Sequence, residues 1–378
     1  MADVFVNKIA TFFPNAVVEN DEMEEYLGYI DGKSSRSRPI VLRENKIQKR
    51  YYALNKQQEP THTNAQMTAE AIRKLCDDDL VLEDIEVIAC GTATPDEFLP
   101  SHSSMVHGEL GGKCIETVTF AGSCCSGVHA FKYSYLNILS GFNKNTVATG
   151  SERVSIRMLS RNFSEERKAL DELEKKPLLA FEKDFLRWML SDGAVAVLLQ
   201  DKPNKDSLSL KVEWVELCSF ANEVESCMYA GGDKNLDGSL KGWADYSVDE
   251  QLEKSVFAFK QDTRLLENTI GDLGTRKFLE LLSKYNISVD EIDYFLPHIS
   301  SFHFKKKIDD SMKANNVGIP EEKWFTNLDR VGNVGSASIF LALEELMNSG
   351  RLKKGEKLFL AIPESARFSY GYIYLTVV

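Results

Sequence analysis

Thr117-Val118-Thr119-Phe120-Ala121-Gly122-Ser123-Cys124-Cys125-Ser126-Gly127-Val128 is the stretch on which the reading of this chain turns. A β-branched run leads into small residues, and a helix follows. Val128, Phe131, Tyr135 and Ile138 fall at helical spacing on one face, which predicts a helix over Ser126–Leu139. Strand, tight turn, nucleophile and helix make the arrangement of a nucleophile elbow. A thiol at a helix N-terminus feels the positive end of the dipole, which favours the thiolate. Gly122, Ser123 and Gly127 leave room for a substrate to approach. Against this stands the common fate of cysteine, an inert core thiol. Of the two, Cys125 sits directly before Ser126-Gly127 and the helix, whereas Cys124 reads as packed filler.

Outward from this stretch, apolar strand-like runs alternate with amphipathic helical runs, the pattern of an α/β layered fold. Val87–Cys90, Thr117–Phe120, Asn145–Thr149, Ala194–Leu199, Tyr294–Leu296, Lys357–Ile362 and Gly371–Val377 read as strands. Asn64–Cys76, Ser126–Leu139, Arg276–Tyr285 and Ser336–Asn348 read as helices. An internal repeat organises them. Leu82-Glu83-Asp84-Ile85-Glu86-Val87-Ile88 is echoed by Val289-Asp290-Glu291-Ile292-Asp293-Tyr294-Phe295 at an offset of 207 residues. Near the same offset Cys125-Ser126-Gly127 meets Asn333-Val334-Gly335, and both copies then run helix, Gly-containing turn, strand. Two similar halves, residues 1–200 and 201–378, would set the starts of two helices face to face, with Cys125 beside Asn333. Ser160 to Arg187 breaks the pattern as a highly charged insertion, and Ala230 to Trp243 reads as a Gly-rich loop.

A nucleophilic thiol needs a base or donor nearby. His298 follows the apolar run Tyr294-Phe295-Leu296-Pro297 and can point into a cleft; the competing reading is a cap on the next helix. His129, four residues after Cys125, is the weaker candidate, because a turn along the helix it packs against the core. The amide of Asn333, among small residues in Val331-Gly332-Asn333-Val334-Gly335, can donate to a developing oxyanion without titrating, or can serve as a plain N-cap. His102, His107 and Cys114 have only loose metal spacing. Asp233-Lys234-Asn235-Leu236-Asp237-Gly238 imitates a calcium loop, but its twelfth position is Ala244 rather than Glu, so a solvated turn is expected. Lys305-Lys306-Lys307 is a solvated helix face or the rim of the site near His298. No metal and no cofactor is expected.

Across 378 residues, 43% are hydrophobic and 27% charged, which excludes global disorder. Asp plus Glu is 57 against 45 for Lys plus Arg, a net charge of -12 that argues against general nucleic-acid binding. The longest purely apolar run, Gly193 to Leu199, is far short of a membrane span. The N-terminus shows no basic region followed by an apolar stretch, and seven scattered cysteines do not suggest a disulfide framework. A cytoplasmic protein is the expectation.

Cys125 before Ser126-Gly127, Pro297-His298 and Gly332-Asn333, in that order, resemble the Cys-His-Asn set of the thiolase-fold condensing enzymes, in the branch of beta-ketoacyl-acyl-carrier-protein synthase III. The resemblance covers nearly the whole chain, through Ile9–Pro14, Ile47-Gln48-Lys49-Arg50, Ser191-Asp192-Gly193-Ala194-Val195-Ala196-Val197 and Gly350-Arg351-Leu352-Lys353-Lys354-Gly355-Glu356. It implies a thiolase fold, two similar βαβαβ-type halves in a five-layered α-β-α-β-α arrangement. It also implies that Cys125 takes an acyl group from a thioester carrier. His298 and Asn333 would bind the second thioester carbonyl and stabilise its enolate. Backbone N–H groups of Cys125 and of the Ser365-Ala366 turn would form the first oxyanion hole. Arg50 and Lys305, Lys306 and Lys307 are the further substrate-binding candidates. An acyl carrier protein, acyl thioesters and a homodimer are the partners so implied.

Three departures from that pattern bear on substrate. Leu42-Arg43-Glu44-Asn45-Lys46-Ile47 lacks the Trp that stacks on coenzyme A in the family's initiating enzymes, which favours a carrier protein as donor. Glu364-Ser365-Ala366-Arg367-Phe368 replaces the usual Gly-rich turn and should reshape the pocket. The charged insertion is foreign to a simple initiating enzyme. Asn20-Asp21-Glu22-Met23-Glu24-Glu25-Tyr26-Leu27-Gly28 and Arg50-Tyr51-Tyr52-Ala53-Leu54 resemble a narrower subgroup, the DarB-type ketosynthase/cyclases of dialkylresorcinol and flexirubin-type pigment pathways. There a beta-ketoacyl thioester is joined to a second acyl chain and closed to a cyclohexanedione. Glu152, after the strand ending at Gly150-Ser151, is the candidate for the extra proton transfer, with a buried structural Glu as its counter-reading. The alternatives are a synthase III of fatty-acid initiation, decarboxylating malonyl-carrier protein, an acyltransferase on the same scaffold, and a non-catalytic partner subunit.

Overall fold

The computed structural model describes residues 2–30, 32–162 and 186–378. The charged insertion between Ser160 and Arg187 lies largely outside the described residues. Its ends are short 3-10 turns at Ser160–Asn162 and Leu186–Trp188.

Nine strands build the core: β1 (Phe5–Phe12), β2 (Val87–Thr92), β3 (Glu116–Ala121), β4 (Asn145–Glu152), β5 (Gly193–Gln200), β6 (Leu210–Ser219), β7 (Tyr294–Pro297), β8 (Lys357–Glu364) and β9 (Ser369–Val377). They join in one mixed sheet of order β7-β8-β9-β6-β1-β5-β4-β2-β3. Six helices matter for the argument: α1 (Asn64–Arg73), α2 (His102–Leu110), α3 (Ser126–Leu139), α4 (Thr263–Tyr285), α5 (Phe302–Ala314) and α6 (Ser338–Asn348).

The sheet repeats one design. On its first side β2 runs parallel to β3 and β4, β5 is antiparallel to β4, and β1 is antiparallel to β5. On the second, β7 runs parallel to β8, β9 is antiparallel to β8, and β6 is antiparallel to β9. Chain order repeats too, with α1, α2 and α3 in the places of α4, α5 and α6. The counterpart of β3 is reduced to one parallel bridge, Phe295 with Trp324. A 3-10 turn precedes the parallel strand in each copy, Leu82–Asp84 before β2 and Val289–Glu291 before β7, which is the structural form of the sequence repeat. The two sides meet where β1 pairs with β6 through Phe5–Lys211 and Val6–Leu210.

Strand periodicity explains the layers. On β5, Val195, Val197 and Leu199 face a middle core, while Ala194, Ala196 and Leu198 face an outer one. Alternate residues point to opposite faces, so a strand covered on both sides must be apolar throughout. The middle core also takes Leu358 and Leu360 of β8, and α3 and α6 fill it, the rings of Phe131 and Phe340 stacking at 5.3 Å. α1 closes the first outer core through Met67 and Ile72, and α4 closes the second through Phe278 and Leu281. The α-β-α-β-α layering follows. Contact between the halves is so close that a Cβ on Gly127 or Gly150 would lie 2.3 or 2.5 Å from the Ser336 carbonyl oxygen. Only glycine fits at both positions.

Two readings are corrected. The Gly-rich stretch Ala230–Trp243 is not a plain loop, since Gly232–Lys234 and Leu240–Gly242 pair as a small antiparallel hairpin. The calcium-loop lookalike is the turn of that hairpin. Helix α4 begins at Thr263, capped by the Asp262 side chain on the Leu265 N–H, and so starts well before Arg276. Among the described residues no helix is long and apolar enough to cross a membrane.

Candidate active site

β3 delivers the cysteine loop. After Ala121 the chain makes one tight turn, in which the Ser126 N–H and hydroxyl both donate to the Ser123 carbonyl, and α3 begins. Cys125 occupies the N-cap position with φ -78° and ψ -11°. It is 1% exposed, and its Sγ approaches the Ile362 carbonyl oxygen at 3.4 Å. Burial and then the Glu364 carboxylate raise its thiol well above the ordinary cysteine range. The dipole argument that favoured a thiolate is therefore outweighed in the unloaded protein.

β7 delivers His298. Its N–H extends the parallel pairing by donating to Ala361 O at 2.8 Å, which fixes the residue at the strand's C-terminal end. The imidazole is 5% exposed, and burial holds its pKa down at about 4. At neutral pH it is uncharged and carries one N–H donor. It does not cap α5, a position held by Ser301.

Asn333 is held by a splice between the halves. Its N–H donates to Met189 O at 3.0 Å and its carbonyl accepts from Ser191 N–H at 2.9 Å. Gly332 before it has φ +73°, and a Cβ there would meet Ser191 Cβ at 2.8 Å, so glycine is required. The side-chain oxygen accepts from Gly335 N–H at 3.0 Å and from the Ser338 hydroxyl at 3.3 Å. This engages the oxygen and leaves the amide nitrogen as the donor for the cleft.

Glu152 ends β4, 1% exposed. Its carboxylate accepts from the Thr94 hydroxyl at 2.7 Å, the Ser336 hydroxyl at 2.7 Å and the Ala93 N–H at 3.1 Å. It thus clasps the two halves together. Burial pushes its pKa up to about 7 against these hydrogen bonds.

One cleft, enclosing about 730 Å³ with the open solvent at its mouth, is lined by His298, Asn333, Glu152 and the cysteine loop at Ser123 and Cys124. Glu152, His298, Asn333 and Ser365 are among its polar lining residues, and Leu190, Met228, Phe259, Leu266, Ile270 and Phe304 among its apolar ones. Cys124 lines the cleft, so it is not mere filler, whereas Cys125 is not among the lining residues. A second apolar cavity, between Phe278, Phe295, Tyr370 and Tyr372, shares Ile270, Ile308 and Pro363 with the first. Neutral donors among mostly apolar side chains in one cleft suit an acyl chain with a polarised carbonyl.

The other candidates fall in different places. Arg50 is fully buried, bonding Asn20 Oδ1 at 2.7 Å and reaching the Trp188 carbonyl, so it belongs to the interior framework behind Gly332 and not to a surface that a substrate reaches. Lys305, Lys306 and Lys307 lie on the outer face of α5, whose inner residues Phe304 and Ile308 line the cleft. Lys305 pairs with Glu321 at 2.6 Å and Lys307 with Glu267 at 3.0 Å. Ser365 and Ala366 form the β8–β9 turn, where the Ala366 carbonyl accepts from the Cys227 N–H at 2.9 Å. His129 is exposed, its ring 6.0 Å from that of Phe120, so it neither lines the cleft nor packs into the core as expected. His102 is buried against Thr68 and Ser151, and His107 reaches the Lys113 carbonyl. Among the described residues no group of three His, Cys, Asp or Glu could hold a metal.

Sequence reasoning missed Glu364 as a partner of the cysteine loop, although the acid at the end of an apolar strand, Ile362-Pro363-Glu364, was the available signal. Its carboxylate accepts from the Cys125 N–H at 2.8 Å.

Residues 282–371, which contain His298, Asn333 and Glu364, match the family model described as 3-oxoacyl-[acyl-carrier-protein] synthase III C terminal. The beta-ketoacyl-[acyl-carrier-protein] synthase III of Clostridium perfringens is 28% identical over 350 residues, 92% of each chain. Among solved structures, AbyA1, a tetronic acid condensing enzyme, superposes with a TM-score of 0.74 at 19% identity over 99% of both chains. The 3-oxoacyl-[acyl-carrier-protein] synthase III of Aquifex aeolicus does so with a TM-score of 0.69, also at 19% identity over 99% of both chains. The fold is the thiolase fold of these enzymes.

Proposed function

Proceeding from that likeness to the synthase III proteins, we propose that this chain is a condensing ketosynthase that joins two acyl thioesters. The observation that carries the reading is the convergence of His298 and Asn333, as two uncharged donors, with the cysteine loop in the lining of one largely apolar cleft. Cys125 attacks the carbonyl of a carrier-bound acyl chain, and the carrier thiol leaves with the proton. The second thioester places its carbonyl oxygen on His298 N–H and Asn333 Nδ2. Both donors stabilise the enolate formed when its α-carbon loses a proton or carbon dioxide. That carbon attacks the Cys125 thioester and the cysteine thiol is released.

For the second substrate we favour a beta-ketoacyl carrier thioester, with closure of the product to a cyclohexanedione, the precursor of a dialkylresorcinol. An α-carbon between two carbonyls needs only a base, and Glu152, with a pKa of about 7, is poised to be one. The adjoining second apolar cavity suits the second alkyl chain. The acyl carrier protein as donor, Lys305, Lys306 and Lys307 as its contact, and a homodimer complete the reading. A linear product from malonyl-carrier protein is the alternative.

Intact mass after incubation with an acyl thioester tests the division of labour. Cys125→Ala should take no acyl group. Cys124→Ala, His298→Ala and Asn333→Ala should each still take one, and the last two should fail to condense. Loss of acylation in His298→Ala and Asn333→Ala as well would falsify the scheme, and acylation that disappears only in Cys124→Ala would move the nucleophile to Cys124.

A further inference from the structure

Glu364 closes β8, and its side chain turns back onto the loop that carries the cysteines. Oε2 accepts from the Cys125 N–H at 2.8 Å and from the Ser123 N–H at 3.2 Å. The residue is 8% exposed, and among the described residues no Lys or Arg pairs with it. An isolated carboxylate taken out of water without a counter-ion is costly, and two backbone donors offset only part of that cost.

Its place on the loop matters more than its cost. When a thiol attacks an acyl carbonyl, the carbonyl oxygen gains negative charge and needs N–H donors. The nucleophile's own backbone N–H, at the start of a helix, is one of the nearest. In this chain that donor is already bonded to a carboxyl oxygen.

We propose that Glu364 is a resident occupant of the oxyanion site, a positioning residue that holds the Cys125 N–H in the unloaded enzyme and yields it to the acyl carbonyl when a thioester enters. The inference rests on the reading of Cys125 as acyl acceptor. The surroundings agree with it. The titratable groups around this corner are Cys124 and Cys125 from the start of α3, Cys218 from β6, Tyr370 and Tyr372 from β9, Glu152 from β4 and His298 after β7, an imidazole that burial keeps uncharged at neutral pH. Cations act on two of them, Arg276 on Tyr370 and Lys277 on Cys218, but none is among the influences on Cys125 or Glu364. After burial, the Glu364 charge is the largest influence holding the Cys125 sulfur as a thiol. An unloaded enzyme is thereby kept from wasteful side reactions, and acyl entry removes the restraint.

Glu364→Gln keeps the shape and removes the charge. The test follows iodoacetamide labelling of Cys125, read peptide by peptide by mass spectrometry in a Cys124→Ser background, from about pH 6 to about pH 10. The Gln variant should shift the labelling profile to lower pH by about one unit, which makes labelling at a fixed pH on the alkaline limb roughly tenfold faster. Glu364→Asp, whose shorter chain withdraws the carboxylate, serves if the Gln variant does not fold and should shift the profile in the same direction. An unshifted profile with normal acylation by a thioester overturns the Glu364 proposal alone. A shifted profile with no acylation of Cys125 by any donor overturns the reading of the site on which it rests.

Discussion

At the scale of single residues the site separates two carboxyl groups by environment. Glu152 and Glu364 are both buried, and burial raises both. Glu152 spans the halves with hydroxyl and N–H partners, while Glu364 sits on the N–H of the cysteine. If Glu152 is the base for the second substrate, condensation should rise with pH through about 7, because only its ionised form can accept the proton. His298 should not limit that range, since it stays neutral until about pH 4. Glu152→Gln should flatten the rise and lower condensation by about 100-fold, with Cys125 acylation within about twofold of the parent. A pH–rate profile decides it, and a rise that persists in the Gln variant assigns Glu152 to the clasp alone. That His298 and Asn333 would meet the cysteine loop in one cleft was legible, because each follows a small or apolar cue at an element end. Cys124, Glu364 and the burial of Arg50 were not. Their roles depend on which way a side chain turns at a strand end or tight loop, and local pattern does not determine that.

At the scale of elements, α3 was read to the residue because its apolar spacing and both its ends are marked in sequence. The first turns of α4 were missed because Gly271 and Gly274 interrupt the run, although Leu266, Ile270 and Leu273 in it keep helical spacing. Strand β6 alternates Leu210, Val212 and Trp214 with charged residues, a period-2 signal that was present and unused. The packing of α3 against the turn before α6 makes a sharper prediction. Gly127→Ala places a methyl group 2.3 Å from the Ser336 carbonyl oxygen, backbone that cannot swing aside. It should lose about 1–3 kcal/mol or more of stability, read as a lower denaturant midpoint. Gly108→Ala, on an exposed turn of α2 with nothing within 4 Å, should be neutral or gain up to about 1 kcal/mol. Equal losses in both would show that the close approach at Ser336 is not what holds the halves in register.

At the scale of the whole molecule, the repeat was readable because the second copy keeps the 3-10 turn and parallel strand of the first. The stunting of its outermost strand to the Phe295–Trp324 bridge was not, since no residue in Trp324-Phe325 forbids a longer pairing. β1 and β6 share two residue pairs, whereas α3, α6 and the strands on both sides of them share an entire apolar core. The loop between β5 and β6 exposes Lys205 and Asp206 to solvent. A polypeptide severed between these two residues should therefore reassemble from separately translated pieces. Co-expressed fragments 1–205 and 206–378 should co-purify and regain acylation, and pieces that never associate would show that peptide continuity is indispensable. If they do associate, the single chain is an intramolecular heterodimer, and its linker is replaceable.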